Sequence, residues 1–261
     1  MTWFEALLLG LVQGLTEFLP VSSSGHLEIG KVLLNVEVKE DITFTVLVHF
    51  ATVLSTITVF FRDLTGLSSG LFAFTWNPET KFISKILLSM IPVLLVGVFL
   101  KDHVESLFTG NLVLVGIALL FTSLLLISTH LVKTGNKRIP FGDAFLIGIA
   151  QAVAVIPGIS RSGATISAGL LLKNDRSETA RFSFLMVLLP IIGAALVDLL
   201  SASPVPGRPV IPPSSLVTGF LAAYVSGYLA CSWMIRLVKS GKLYWFAIYC
   251  AIIGTLSIVF A

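Results

Sequence analysis

Apolar residues fill this chain in long runs, and the polar positions that interrupt them fall in two kinds of place. Six runs are long enough to cross a lipid bilayer, which takes about 20 helical residues. They are Ile42–Phe61, Phe82–Leu100, Asn111–Leu131, Phe182–Leu200, Ser214–Ile235 and Leu243–Phe260. Charges, glycine or proline bound them, at Arg62-Asp63, Lys101-Asp102, Lys133 through Arg138, Pro204 through Pro213 and Arg236 through Lys242. Each run predicts a transmembrane helix.

Two further runs are broken in the middle. Trp3–Lys31 is interrupted by Pro20 and Ser22-Ser23-Ser24-Gly25, and Phe141–Leu172 by Pro157-Gly158 and Ser160-Arg161-Ser162-Gly163. Proline ends a helix, and the serines and glycine supply a turn and the cap of the next one. The second helices, about His26–Leu34 and Ala164–Leu172, are too short to span. Irregular backbone at membrane depth must be buried in protein or line a cavity. Both runs therefore predict re-entrant hairpins that enter and leave on one side.

The two broken runs match at an offset of 138 residues. Gly10 and Gln13 meet Gly148 and Gln151; Ser22, Ser24 and Gly25 meet Ser160, Ser162 and Gly163; Phe44 and Leu47 meet Phe182 and Leu185. Repeat one runs over about 1–132 and repeat two over about 139–261, within one membrane domain. Each repeat is a hairpin followed by three spans. Three is odd, so the second repeat is inverted relative to the first, an architecture that places a site where the halves meet. The predicted fold is an all-α integral membrane protein with six transmembrane helices plus two re-entrant hairpins in an inverted-topology repeat.

Composition excludes the alternatives. The chain of 261 residues is 56% hydrophobic and 12% charged, with a mean hydropathy of +0.97. A soluble domain carries about twice that charge fraction, and a disordered chain far less apolar content. No basic patch interleaves with aromatics, so nucleic acid is not an expected partner. Cys231 and Cys250 sit in apolar runs and read as small packing residues. The N-terminus has neither a positive n-region nor a small-residue cleavage site, so a removed signal peptide is not expected.

Charge sets the orientation. On the predicted topology the N-terminal side carries Lys31, Lys39, Lys101 and Arg208, while the opposite side carries 12 of the 17 positive residues. The positive-inside rule makes that opposite side cytoplasmic and both termini periplasmic. The remaining cation, Arg161, sits at the tip of the second hairpin.

Charged groups at membrane depth are costly and mark function. Gln13 and Glu17 share a helix face in the first hairpin, and Ser22, Ser23, Ser24 and His26 follow its break. Arg161 with Ser160, Ser162 and Thr165 occupies the facing tip. An arginine fork suits phosphate oxygens, a helix N-terminus adds N–H groups, and Glu17 can bind a divalent metal or act as a base. His26 can move a proton or attack directly, and Ser23 can be a nucleophile. The set suggests phosphoryl transfer or phosphate-ester hydrolysis on a substrate reached from the bilayer. The simpler alternatives are a structural carboxylate at Glu17, a counter-ion at Arg161, turns and caps at the serines, packing or a polar contact at His49, and belt or packing aromatics at Trp233, Tyr244, Trp245 and Tyr249.

The stretch from Gln13 to His26 resembles the first signature of the bacterial undecaprenyl-diphosphate phosphatase family, and Pro157 to Thr165 resembles its second. That family's first motif begins with Glu or Gln; Gln13 here leaves Glu17 as the sole acid of the pair. The resemblance implies an inner-membrane enzyme that removes the terminal phosphate of undecaprenyl diphosphate, recycles the lipid carrier for cell-wall synthesis and confers bacitracin resistance. It also implies a divalent cation, magnesium or calcium, with Glu17 as its ligand, and a site open to the periplasm. Carried onto this chain, Glu17, Ser23, His26 and Arg161 are the catalytic group, with His26 as the acid/base partner of Ser23 or as the nucleophile itself. Gln13, Ser22, Ser24, Ser160, Arg161, Ser162 and Thr165 are the substrate-binding group. The sequence admits a homodimer without specifying one. A transporter or lipid-carrier flippase built on the same repeat is the alternative from another class, because fold alone does not separate the two.

Overall fold

The computed structural model describes residues 1–34, 41–107, 110–132, 135–193 and 211–261. The described residues are helical apart from short connections; their one β-bridge joins Lys137 and Asn174. The helices are α1 (Trp3–Phe18), α2 (Ser23–Leu34), α3 (Asp41–Val59), α4 (Phe61–Phe72), α5 (Pro78–Phe99), α6 (Lys101–Glu105), α7 (Leu112–Leu131), α8 (Phe141–Val153), α9 (Arg161–Leu171), α10 (Arg176–Met186), α11 (Pro213–Ser240) and α12 (Tyr244–Val259). Residues 188–193 are also helical.

Local chemistry explains most boundaries. Thr2 and Glu5 close α1 with a reciprocal capping box. Asn77 caps α5 through Thr80 N at 2.7 Å with Pro78 in the first turn, and Asn111 caps α7 through Leu114 N at 3.1 Å. Gly241, with a left-handed φ of 71°, ends α11.

The polarity of the molecule is inverted relative to a soluble protein. Leu94, Val98, Ile117, Leu124, Val225, Leu229, Trp245 and Ile252 face outward, whereas Gln13, Thr52, Thr56, Thr122, Ser160, Thr165 and Ser183 are buried. Such a surface is stable only against lipid. α5, α7 and α11 are each long and apolar enough to cross a bilayer. The protein is an all-helical, multi-pass membrane protein.

Several expected elements take a different form. The run predicted as Ile42–Phe61 continues past its end: α3 gives way at Phe60 to α4, and the pair bends by 76°. α12 is 16 residues long, about 24 Å at 1.5 Å per residue, short of a 30 Å hydrocarbon core. The run predicted as Phe182–Leu200 is broken after Met186, and its residues 194–200 lie outside the described residues. The second helices of both broken runs begin three residues earlier than predicted, at Ser23 and Arg161, because the serine before each serves as the cap.

Backbones approach closely where side chains are smallest. Gly10 lies against Gly219 on α11, and Gly14 against Ala223, Ser226 and Gly227. Gly148 on α8 lies in the same way against Ser89 on α5. Gly116 on α7 and Gly254 on α12, themselves 138 positions apart, meet carbonyl to Cα: a Cβ on either would strike the carbonyl of the other. The tips of the two broken runs also touch. Gly25 packs on Gly158, and Gly163 on Pro20, contacts that exchange under the same 138-residue offset.

Candidate active site

The break after α1 brings a strained turn to the centre of the molecule. Ser22 holds φ at 70°, a left-handed value that non-glycine residues rarely adopt. Its hydroxyl accepts from Gly25 N at 3.3 Å and contacts Ser24 Oγ at 3.3 Å. The second break repeats this with a relaxed serine. Ser160 Oγ accepts from Gly163 N at 3.0 Å and contacts Ser162 Oγ at 3.3 Å. There the left-handed residue is Gly158, with φ 95°. Ser22 and Ser160 are thus helix caps, and Ser24 and Ser162 brace them.

Those caps orient the first residue of each short helix. Ser23 and Arg161 occupy equivalent positions, 138 residues apart, and both face Glu17. Ser23 Oγ donates to Glu17 Oε2 at 2.6 Å, and Gln13 Nε2 donates to the same oxygen at 3.0 Å. Arg161 Nη1 lies 3.9 Å from the other oxygen, Oε1, and His49 Nε2 lies 3.9 Å from Oε2. The Glu17 side chain is 5% exposed, so these donors and the guanidinium compensate a charge at membrane depth.

Glu17 and Arg161 line one pocket with Ser162 and Thr165 from α9, Thr52 and Thr56 from α3 and Ser183 from α10. Phe18, Phe184, Val187 and Ile191 form its apolar wall. Gln13 and Ser23 join it through the carboxylate. Arg161 Nη1 is buried and makes no hydrogen bond, and Ser160 positions it through the cap and through Ser160 N donating to Thr122 Oγ1 at 3.0 Å. Ser162 Oγ donates to Leu19 O at 3.2 Å and ties the second tip to the first.

His26 stands apart from this group. Its Nδ1 lies 2.8 Å from Ser22 O; a carbonyl only accepts, so Nδ1 carries the hydrogen. Its Nε2 then accepts from Tyr249 Oη at 2.8 Å, and the two rings stack with centroids 5.5 Å apart. Both ring nitrogens are engaged, and the partner of Ser23 is Glu17 where the sequence suggested His26. From the same helix, Cys250 Sγ contacts Pro20 O at 3.6 Å. α12 therefore clasps the first tip.

The sequence reading did not select Thr52, Thr56, Ser183 or Thr122, and it assigned His49 and Tyr249 to packing or belt roles. His49, Thr52 and Thr56 follow at helical spacing along an otherwise apolar α3, a polar stripe that is legible once sought.

Glu17 and one neutral amide are the oxygen donors that suit a divalent cation. Among the described residues no three His, Cys, Asp or Glu side chains gather around one point. Gln13 Oε1, however, is fully buried without a hydrogen-bond partner, four residues from Glu17 on the same helix face. One carboxylate and one unsatisfied amide oxygen fit a hard cation that keeps most of its ligands from phosphate and water.

The model of the family described as bacitracin resistance protein BacA matches residues 6–256. Proteins named undecaprenyl-diphosphatase from Parabacteroides distasonis and Bacteroides fragilis are 54% and 52% identical, each over 99% of this chain and 98% of their own. One of the same name from Methanosphaera stadtmanae is 35% identical over 98% of this chain and 96% of its own. The chain belongs to the bacitracin resistance protein BacA family.

Proposed function

We propose that this protein is an integral-membrane undecaprenyl-diphosphatase: it hydrolyses undecaprenyl diphosphate to undecaprenyl phosphate and inorganic phosphate, recycles the lipid carrier and thereby confers bacitracin resistance. The observation that carries the reading is the Ser23 hydroxyl held 2.6 Å from Glu17, whose carboxylate lines a pocket together with Arg161, its Nη1 free of hydrogen bonds among the described residues. That is a nucleophile, its base and an anion clamp.

The steps follow from the contacts. Arg161, with the N-terminal N–H groups of α9, holds the diphosphate. Ser23 Oγ attacks the terminal phosphorus as its proton passes to Glu17 Oε2. The bond from that phosphorus to the bridging oxygen breaks as Glu17 passes its proton to that oxygen, so the lipid monophosphate leaves and the carboxylate is restored. Glu17 then activates a water that cleaves the serine phosphate, releasing inorganic phosphate and restoring the hydroxyl. Ser22, Ser24, Ser160, Ser162 and Thr165 shape and cap the two tips around the diphosphate. A divalent cation, held by Glu17 and Gln13, would neutralise charge on the diphosphate. His26, joined to Tyr249 and Ser22, fixes the strained turn that presents Ser23.

The architecture proposed is six spans plus two re-entrant hairpins in an inverted repeat, with both termini periplasmic and the pocket open to the periplasm. The equivalent tip contacts and the Gly116–Gly254 crossing support the repeat, and the cation distribution supports the orientation. An exposed Arg138→Cys should resist an impermeant thiol reagent added from the periplasmic side; labelling there overturns the orientation.

The deciding experiment uses purified protein in detergent with a prenyl diphosphate and magnesium. Release of inorganic phosphate, suppressed by a chelator, is expected. No release, together with lipid movement in liposomes, would instead establish a flippase.

A further inference from the structure

Among the described residues, the pocket holds two buried donors that make no hydrogen bond. One is Arg161 Nη1. The other is the hydroxyl of Ser183 on α10, 4% exposed and without a hydrogen-bond partner.

Most buried helical hydroxyls here donate to the carbonyl one turn back. Thr16 does so to Val12 O at 2.6 Å, Thr56 to Thr52 O at 3.0 Å and Ser226 to Ala222 O at 2.6 Å. Thr165, in the same pocket, donates to Arg161 O at 2.9 Å. Those hydroxyls are spent on their own helices. Ser183 is not, and a buried hydroxyl without a partner is destabilising until a ligand satisfies it. It lines the pocket with Phe184 and Val187 alongside Glu17 and Arg161, the base and the phosphate clamp of the proposed reaction.

We propose that Ser183 is a substrate-binding residue whose hydroxyl donates to a phosphoryl oxygen of the diphosphate, as a neutral donor beside the Arg161 fork. The assignment rests on the phosphatase reading for its reaction but not for its ligand chemistry, which is a phosphoryl oxyanion. It also places α10, outside both signature stretches, in the binding of substrate.

The test compares full-length wild type, Ser183→Ala and Ser167→Ala in detergent. Ser167 is likewise a buried hydroxyl without a hydrogen-bond partner among the described residues, on α9 and outside the pocket lining, so its variant controls for packing. With a short-chain prenyl diphosphate, Ser183→Ala should raise KM about fivefold to tenfold, the loss of one hydrogen bond, with kcat within about twofold and Ser167→Ala unchanged. Product inhibition separates the sources of the phosphoryl group: a parallel rise in the inhibition constant of inorganic phosphate assigns the contact to the released phosphate as well, and an unchanged one assigns it to the lipid-borne group; both uphold the proposal. An unchanged KM in Ser183→Ala, or an equal rise in Ser167→Ala, overturns it. Should the wild type release no phosphate, the hydrolase reading fails, and the melting shift induced by inorganic pyrophosphate decides instead. A shift lost in Ser183→Ala and kept in Ser167→Ala upholds the contact; a shift that Ser183→Ala retains, or that the wild type never shows, overturns it.

Discussion

Glu17→Gln isolates the proton-accepting role of the carboxylate from its role as a hydrogen-bond acceptor. The glutamine has the same length and shape, and its amide oxygen can still accept from Ser23 or Gln13, as Glu17 Oε2 does at 2.6 and 3.0 Å. It cannot take the serine proton. A positioned general base contributes about 10²–10⁴-fold, so kcat should fall by that factor, about 3–5 kcal/mol of barrier. Stability should change little. The contact with Arg161 is long, 3.9 Å, and the Arg161 side chain is 33% exposed, so its loss costs at most about 1 kcal/mol. Removing a charge from membrane depth offsets that loss. The assay is phosphate release from a prenyl diphosphate in detergent, with a thermal melt of the same sample. A kcat within tenfold of wild type, in protein that melts normally, would show that Glu17 is not the base.

Arg161→Lys keeps the charge and loses the fork; kcat/KM should drop about 10²-fold or more in protein that still purifies from the membrane, and near-normal turnover would remove Arg161 from diphosphate binding. Tyr249→Phe keeps the ring stack on His26 and removes one hydrogen bond worth about 1 kcal/mol, so turnover should fall about fivefold, while wild-type turnover would show that the α12 clasp does not position the site. Gly14→Ala puts a methyl against Ser226 and the Ala223 carbonyl; the pressed helices should lose about 1–3 kcal/mol, read as a lower melting temperature in detergent, and an unshifted melt would mean that α1 and α11 yield freely.

Much of this could be read before any coordinates. Serines after a proline, set between apolar runs, announce caps and turns, and both tips formed where those residues stand. Glu17 and Arg161 were conspicuous because charge at membrane depth is expensive. The partner of Ser23 was not legible: Glu17 and His26 both lie within six residues of it, and the carbonyl of Ser22 decides which one turns away. Tyr249 comes from the far end of the chain, and only packing brings it to His26. Ser183 looked like one hydroxyl among many, since the sequence does not say which serines bond to their own helix. The bend at Phe60 has neither proline nor glycine at its corner, so only the charges of Arg62 and Asp63 hinted that the helix changes course there.

The convergence of Ser23 and Arg161 on a single carboxylate bears on how such a protein could have arisen. In the proposed reaction, corresponding places in the two segments take opposite jobs, one attacking and one gripping, and the acid between them has Val155 as its counterpart. Neither segment alone carries a complete reaction. A chain severed near residue 135 should therefore be inert as separate pieces and regain turnover only when both are made together, and a primordial version with two identical halves would have needed to pair with itself before it could do any chemistry.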